Sequence, residues 1–134
     1  MILGIGMDLC EVERILRLLE KDRERFVHRV FLDGECAYCD GRRLPAMHYA
    51  ARFAAKEAFL KAVGAGWRLG WRQLEVVRHP SGRPDLSVSG PAAEILRDRR
   101  VRRIHLSLTH TRDMAAAVVV LEGEAGASPG GKAP

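Results

Sequence analysis

The segment PAMHYAARFAAKEAFLKAV, residues 45–63, constrains the fold more than any other part of the chain. It is rich in alanine, it contains no internal helix breaker, and it begins with a proline, which is favoured in the first turn of a helix. Gly64, Ala65 and Gly66 follow and end the pattern. We therefore predict one long helix from Pro45 to Val63.

Shorter segments on both sides of this helix predict a mixed fold. Apolar side chains alternate with Gly4 and Gly6 near the start, which is typical of a short buried strand that another backbone approaches closely. Strand-like runs are found at 2–9, 74–78, 86–89, 104–108 and 114–121, and helical signals at 11–21, 22–30, 33–39 and 91–99. This order lacks regular strand–helix alternation and predicts an α+β fold, in which a mainly antiparallel sheet packs against the long central helix.

The length of 134 residues suits one compact domain, which we place at residues 1–122. Residues 123–134, GEAGASPGGKAP, have the composition of a disordered tail. A run of about 18 apolar residues is absent, so we expect no membrane span. Asp8 interrupts the apolar run at the start, which argues against a signal peptide and predicts a cytoplasmic location.

The three cysteines are predicted to be free thiols. Cys36 and Cys39 have C-x-x-C spacing, but a structural zinc site needs four ligands and no second pair follows. With Cys10 the count is odd, and a cytoplasmic chain keeps its thiols reduced.

The positive charge of the chain predicts an acidic partner without identifying it. The formal net charge is +5 and the pI is near 9.6, which suits nucleic acid, an anionic surface, a phosphorylated cofactor or an acidic protein. A nucleic-acid module is favoured by five arginines, at positions 97, 99, 100, 102 and 103. Few aromatic residues stand where they could stack on bases, and no zinc-finger or helix-turn-helix signature is present, which argues against it.

Asp8 and Glu57 are the candidate ligands for a metal ion. Asp8 ends the first predicted strand, where it either coordinates a cation or forms a capping box with Glu11. Glu57 shares a helix face with Lys61, four residues on, either as a solvated ion pair or as part of a site. Two carboxylates beside an ammonium group suit a Mg²⁺-assisted phosphoryl reaction, although spacing alone leaves these alternatives open.

Three segments together resemble a known family. They are LGIGMDLCEVERI at 3–15, RFAAKEAFLKAVGAG at 52–66, and HLSLTHT at 105–111 followed by AAAVVVLE at 115–122. This chain resembles the holo-acyl-carrier-protein synthase family of 4′-phosphopantetheinyl transferases. The resemblance implies an α+β fold, a homotrimer with an active site at each subunit interface, coenzyme A as co-substrate, and transfer of its 4′-phosphopantetheine arm to a serine of an acyl carrier protein.

The resemblance also implies roles for individual residues. Asp8 and Glu57 resemble the Mg²⁺ ligands, and Lys61 resembles the lysine that contacts the phosphate. The residues that resemble the binding site for coenzyme A are Arg52, Gly82, Arg83, Pro84, His105 and Thr111. Two positions depart from the family pattern, since Ala65 replaces a frequent threonine and Met114 a frequent aromatic residue.

The first predicted helix is a candidate docking face for the carrier protein. Arg14, Arg17 and Lys21 recur at i, i+3 and i+7 on the face opposite the apolar stripe, and Leu18 lies four residues after Arg14. Acyl carrier proteins are acidic around the modified serine, so these residues could dock them, although a simply solvated face is the alternative. A relative that binds coenzyme A or a carrier without transfer is the alternative function, and the presence of the three candidate catalytic residues argues against it.

Overall fold

The computed structural model describes residues 1–64 and 69–125 and confirms the predicted α+β class. Within those ranges no helix is both long and apolar enough to cross a membrane. The elements in chain order are β1 Ile2–Glu11, α1 Val12–Val30, α2 Asp33–Asp40, α3 Pro45–Val63, a 3-10 turn Trp71–Gln73, β2 Leu74–Arg78, β3 Pro84–Val88, α4 Gly90–Asp98, β4 Val101–His110 and β5 Met114–Gly123.

All strand pairs are antiparallel, as predicted, and they divide into two sheets. A three-stranded sheet has the order β1-β5-β4, and β2 and β3 form a separate two-stranded sheet. Helix α3 packs across one face of the larger sheet, against β1 and β5. The long helix therefore lies at the centre of the fold, in contact with the strands of the larger sheet.

Small residues allow α3 and β1 to pack with their backbones almost in contact. A Cβ atom on Gly6 would lie 1.8 Å from the carbonyl oxygen of Ala58, and one on Gly4 would lie 2.3 Å from that of Ala62. Both distances are far below van der Waals contact, so neither position has room for a side chain. This close approach brings Asp8, two residues after Gly6, alongside the next turn of α3.

The opposite face of the larger sheet is apolar and open in the single chain. Residues that pair across the strands share a face, and Ile5, Met7 and Leu9 pair with Val120, Val118 and Ala116. We call these six residues the outer sheet face. The first three are 62%, 66% and 66% exposed, which is unusual for three large apolar side chains on one strand.

Helix α1 joins the two predicted helical stretches across a break at Asp22, whose φ of −161° and ψ of 86° are not helical. The Asp22 side chain accepts a hydrogen bond from the Arg25 amide at 3.2 Å and so caps the second half of the helix. The predicted apolar stripe is buried except for Leu16, which is 43% exposed.

The beginning of α1 excludes the capping-box interpretation of Asp8. β1 continues to Glu11, so Asp8 lies inside the strand rather than at its end. Glu11 is the N-cap residue, and it makes no side-chain capping bond. The Val12 amide instead donates to the Asp113 carbonyl in the β4–β5 turn at 2.9 Å.

Helix α3 begins at Pro45 and ends at Val63, as predicted, and Gly64 is its C-cap residue. Gly64 adopts a left-handed φ of 77°, and its amide donates to the Leu60 carbonyl at 2.9 Å. Ala65 and Gly66, and residues 126–134 of the predicted tail 123–134, lie outside the described residues.

Candidate functional site

The structure brings Asp8 and Lys61 into contact. Asp8 pairs with Ala117 on the face of β1 that α3 covers, and its side chain is only 16% exposed. The Lys61 ammonium donates to Asp8 Oδ1 and to the Met7 carbonyl, both at 3.1 Å. Their positions 53 residues apart are thus joined by the packing of β1 on α3.

Glu57 lies one helical turn before Lys61 and completes a group of two carboxylates and an ammonium. Burial raises the pKa of Glu57, and the negative charge of Asp8 raises it further. The nearby indole N–H of Trp71, without reaching hydrogen-bond geometry, and the charges of Lys61 and Arg14 act in the opposite direction. The two carboxylates therefore repel each other, a charge arrangement that a cation relieves.

An open cleft of about 630 Å³ borders this group. Its described lining residues are Glu57, Leu60, Lys61, Gly64, Leu69, Gly70 and Trp71. Two predicted catalytic residues thus face one cavity, and Asp8 is tied to it through Lys61. Trp71 is a wall residue that the sequence did not single out.

Three of the predicted coenzyme A residues meet in a different groove. Pro84 at the start of β3, Arg83 directly before it and His105 from β4 line a groove of about 440 Å³. Arg103, which the sequence did not indicate for this role, lines it as well. The groove forms because β3 packs beside β4. Gly82 precedes it in a turn with a left-handed φ of 91°.

His105 and Thr111 make local contacts that fix their side chains. His105 Nε2 lies 2.9 Å from Glu122 Oε1 on the neighbouring strand, and this contact lowers the pKa of Glu122. Thr111 Oγ1 accepts the amides of Asp113 and Met114 at 3.3 and 3.1 Å, so it shapes the β4–β5 turn. The structure therefore gives Thr111 a role in the turn and does not bring it into the groove.

Arg52 is buried in a concentration of positive charge around one aromatic ring. The guanidinium carbons of Arg52, Arg42 and Arg78 lie 4.1, 4.3 and 5.1 Å from the centre of the Tyr38 ring. Arg78 also donates to the Tyr38 hydroxyl. We call these four residues the tyrosine–arginine cluster.

The tyrosine–arginine cluster has the properties of an anion site. Arg52 is 4% exposed, and its Nε donor has no hydrogen-bond partner in the part of the chain that the structure describes. Burial lowers the pKa of the adjacent His48, and the charges of His110 and of the three cluster arginines lower it further. Of this cluster the sequence indicated only Arg52, because Arg42 and Arg78 meet Tyr38 through tertiary contacts between separate segments.

The predicted docking residues are spread along the exposed side of α1. Leu18 and Lys21 line a groove of about 460 Å³, together with four residues that the sequence did not indicate, Asp22, Arg25, Phe26 and Arg29. Arg17 pairs with Glu13 at 3.9 Å. Arg14 lies with its guanidinium carbon 5.8 Å from the Phe53 ring centre, near enough to Glu57 to lower its pKa.

The cysteines form no metal site within the described ranges, where no group of three or more His, Cys, Asp or Glu side chains has a suitable arrangement. Cys10, Cys36 and Cys39 are free thiols. Burial raises the pKa of Cys10 to about 11 and that of Cys39 to about 12. Thiols held in the protonated form are poor nucleophiles and poor metal ligands.

Comparison with known proteins gives consistent matches over most of the chain. A sequence model of the 4′-phosphopantetheinyl transferase superfamily matches residues 4–119. The chain is 52% identical to a holo-[acyl-carrier-protein] synthase of Methylobacterium radiotolerans, over 91% of this chain and 94% of the relative.

Solved structures are similar in both fold and sequence. The holo-[acyl-carrier-protein] synthase of Neisseria meningitidis has a TM-score of 0.82 at 36% identity, covering 91% of this chain and 99% of that one. A holo-(acyl-carrier-protein) synthase of Bacillus anthracis, in complex with CoA (3′,5′-ADP), has a TM-score of 0.76 at 34% identity, covering 92% and 99%.

Proposed function

The chain belongs to the 4′-phosphopantetheinyl transferase superfamily and is a transferase. We propose that it moves the 4′-phosphopantetheine arm of coenzyme A to a serine of an acyl carrier protein in a Mg²⁺-dependent reaction. The observation that carries the proposal is the meeting of Asp8, Glu57 and Lys61 beside one cleft. Holo carrier protein and adenosine 3′,5′-bisphosphate are the products. A cytoplasmic location and a domain limit at residue 122 stay predictions.

The donor set fits a magnesium ion. Mg²⁺ is usually bound by one or two carboxylates and completes its shell with water and substrate phosphate. Asp8 and Glu57 supply such oxygens, and their mutual repulsion favours a cation between them. We propose these two residues as the Mg²⁺ ligands; when bound, the ion withdraws charge from the pyrophosphate.

The residues of the chain orient the reacting groups. In the proposed reaction the carrier serine oxygen bonds to the β-phosphorus of coenzyme A while the bond from that phosphorus to the bridging oxygen breaks. The Lys61 ammonium lies beside the carboxylates and neutralises the charge that develops on the departing bisphosphate. The serine proton passes to one of the two carboxylates or to a water molecule beside them.

A homotrimer is our proposal for the working assembly. The cleft of Glu57 and Lys61 and the groove of Arg83 and His105 are separate cavities in one chain, and an active site at a subunit interface would let two subunits contribute these surfaces to one coenzyme A molecule. The outer sheet face supports this, because a second copy is the occupant that would cover its exposed apolar strand. Arg52 and the rest of the tyrosine–arginine cluster, with Gly82 and Pro84, are proposed to bind the nucleotide end.

Substituting Met7 with glutamate is expected to dissociate the assembly, because it puts a charge at the centre of the outer sheet face. Sedimentation should show the parent as a trimer and Met7→Glu as a monomer with unchanged circular dichroism. Leu44→Glu is the matched control, since Leu44 is a 45% exposed apolar residue outside the sheet. A Met7→Glu variant that sediments like the parent would remove the outer sheet face as the interface.

Substituting Arg14 with glutamate is expected to weaken recognition of the carrier protein. Arg14, Arg17, Leu18 and Lys21 are proposed as its docking face, and an exposed charge mainly affects encounter with an acidic partner. The KM for the carrier should rise about 10-fold, in line with about 1.4 kcal/mol of lost interaction, while the KM for coenzyme A stays within about twofold. Equal carrier KM values for parent and variant would contradict the docking proposal.

The transfer itself is tested by the intact mass of an apo acyl carrier protein after incubation with this protein, coenzyme A and Mg²⁺. We expect a gain of roughly 340 Da, the mass of the arm, and its loss when a chelator removes the metal. A gain that persists with chelator would remove the Mg²⁺ proposal alone. The absence of a gain with several carriers, together with measurable coenzyme A binding, would favour the alternative of an inactive binding relative.

A further inference from the structure

A buried ion pair involves Lys56, the residue of α3 that directly precedes Glu57. Lys56 and Glu35 have fully buried side chains, and Lys56 Nζ lies 2.7 Å from Glu35 Oε1. The ammonium also donates to the carbonyls of Val30 at 2.7 Å and Trp71 at 3.3 Å. All three of its donors are therefore used.

Glu35 connects the same pair to strand β2. Its Oε1 atom accepts the Leu32 amide at 3.0 Å, and its Oε2 atom accepts the Val76 amide at 2.9 Å. The segment 71–76 is consequently held at both ends, at the Trp71 carbonyl by Lys56 and at the Val76 amide by Glu35. The two residues act as one unit that ties this segment to α3.

The segment held in this way forms part of the wall of the cleft. Trp71 lines the cleft together with Glu57 and Lys61, and its ring packs on Phe53 with ring centres 5.8 Å apart. Glu57 directly follows Lys56 in α3. One residue of the helix thus faces the cleft while its neighbour binds the backbone carbonyl of Trp71, which lines the same cleft.

Stability alone is a weak explanation for such a pair. Removing two charges from water carries a large desolvation penalty, and well-packed apolar residues of similar size are often as stabilising. What a fully bonded ion pair adds is a defined geometry, because the ammonium and the carboxylate are satisfied in only one arrangement of their neighbours.

We propose that Lys56 and Glu35 are positioning residues of the active site, which hold Trp71 against Phe53 and so fix the cleft that receives coenzyme A. The proposal rests on the transferase function proposed above. Neither residue touches the substrate in this scheme; both act through the segment 71–76.

The test uses a protein in which Trp71 is the only tryptophan, obtained by Trp67→Phe, since the chain has two. In this background Lys56→Met and Glu35→Gln are combined, so that no unpaired charge is left in the core. We expect a folded protein in which acrylamide quenches Trp71 fluorescence at least about twofold more strongly, with the KM for coenzyme A raised about 10- to 100-fold, the range found for supporting residues.

Two further variants make the result interpretable. Lys56→Gln with Glu35→Gln is the milder change, because it keeps a hydrogen-bonding group at both positions and leaves no buried charge, and it should shift both readouts in the same direction if the first double variant does not fold. Arg23→Met with Asp40→Asn removes another ion pair between α1 and α2 that makes no contact with segment 71–76, and it should leave both readouts at the parent values.

Folded Lys56 and Glu35 variants with parental quenching and parental KM would overturn the proposal and leave the pair a purely structural element. The quenching measurement needs no turnover. It therefore separates a failure of this proposal from a failure of the transferase function, which the parent protein tests in the mass assay.

Discussion

Glu57→Gln is expected to lower kcat/KM for transfer at least about 1000-fold while the fold stays intact. The substitution keeps the shape of the side chain but removes one of the two charges proposed to bind Mg²⁺. Several kcal/mol of charge stabilisation in the transition state corresponds to a rate effect of this order. Asp8→Ala should abolish transfer for the same reason.

The stability of Glu57→Gln distinguishes a functional role from a structural one. Folding raises the pKa of Glu57, so the native state binds its proton more tightly than the unfolded state does. At neutral pH the ionised carboxylate therefore destabilises the fold, and this effect is absent below the ordinary pKa of a glutamate. Glutamine should consequently leave the melting temperature unchanged or raise it.

The measurement is the intact mass of the carrier protein over time, alongside thermal unfolding. Asp98→Asn is the matched control, because it neutralises an exposed carboxylate at the end of α4 without a hydrogen bond or ion pair among the described contacts. Transfer by Glu57→Gln at the parent rate would show that the metal assignment is wrong, and a cooperative loss of folding would show that Glu57 is structural.

Gly6→Ala is expected to cause a large loss of stability, because Gly6 has the shortest Cβ contact of any glycine in the part of the chain that the structure describes. Its Cβ would lie 1.8 Å from the Ala58 carbonyl oxygen and 2.7 Å from the Ala62 amide nitrogen. Both contacts are with helix backbone, which cannot rotate away as a side chain can. We expect more than the about 1–3 kcal/mol typical of an overpacked core, out of a total of about 5–15 kcal/mol for a domain.

The free energy of unfolding in urea measures this effect. Gly41→Ala is the control, since a Cβ there meets its nearest atom, the Ala37 carbonyl oxygen, at an ordinary 3.4 Å. If Gly6→Ala does fold, β1 must move off α3, which separates Asp8 from Lys61, so transfer should fall as well. Parental stability in Gly6→Ala would contradict the close packing of β1 on α3.

Local patterns in the sequence predicted the helices and most of the strands, and a family resemblance selected the three central candidate residues. The composition of residues 45–63 predicted α3 with its correct ends, because helix propensity, an initial proline and a final glycine act over a few neighbouring residues. Gly4 and Gly6 indicated a close backbone approach, and the structure identifies α3 as the partner. The resemblance to a family selected Asp8, Glu57 and Lys61, which the structure brings together.

Other features depend on contacts between segments that are distant in the chain. Tyr38 and Arg78 are 40 residues apart, and nothing in the periodicity of either segment indicates that they meet. In the sequence, nothing distinguishes Glu35 and Lys56 from other charged residues of predicted helices. The structure shows that both are buried.

The difference between the features that the sequence predicted and those that required the structure has a physical cause. Helix propensity, capping and the alternation of apolar residues are properties of a few consecutive residues, and the sequence by itself determined α3, the antiparallel strands and the type of residue available for catalysis. The burial of Arg52, the separation of the two grooves and the attachment of Trp71 behind the cleft depend on how β1, α2 and segment 71–76 pack around α3. Those contacts form only when distant segments pack into one core, so only the tertiary structure determines them.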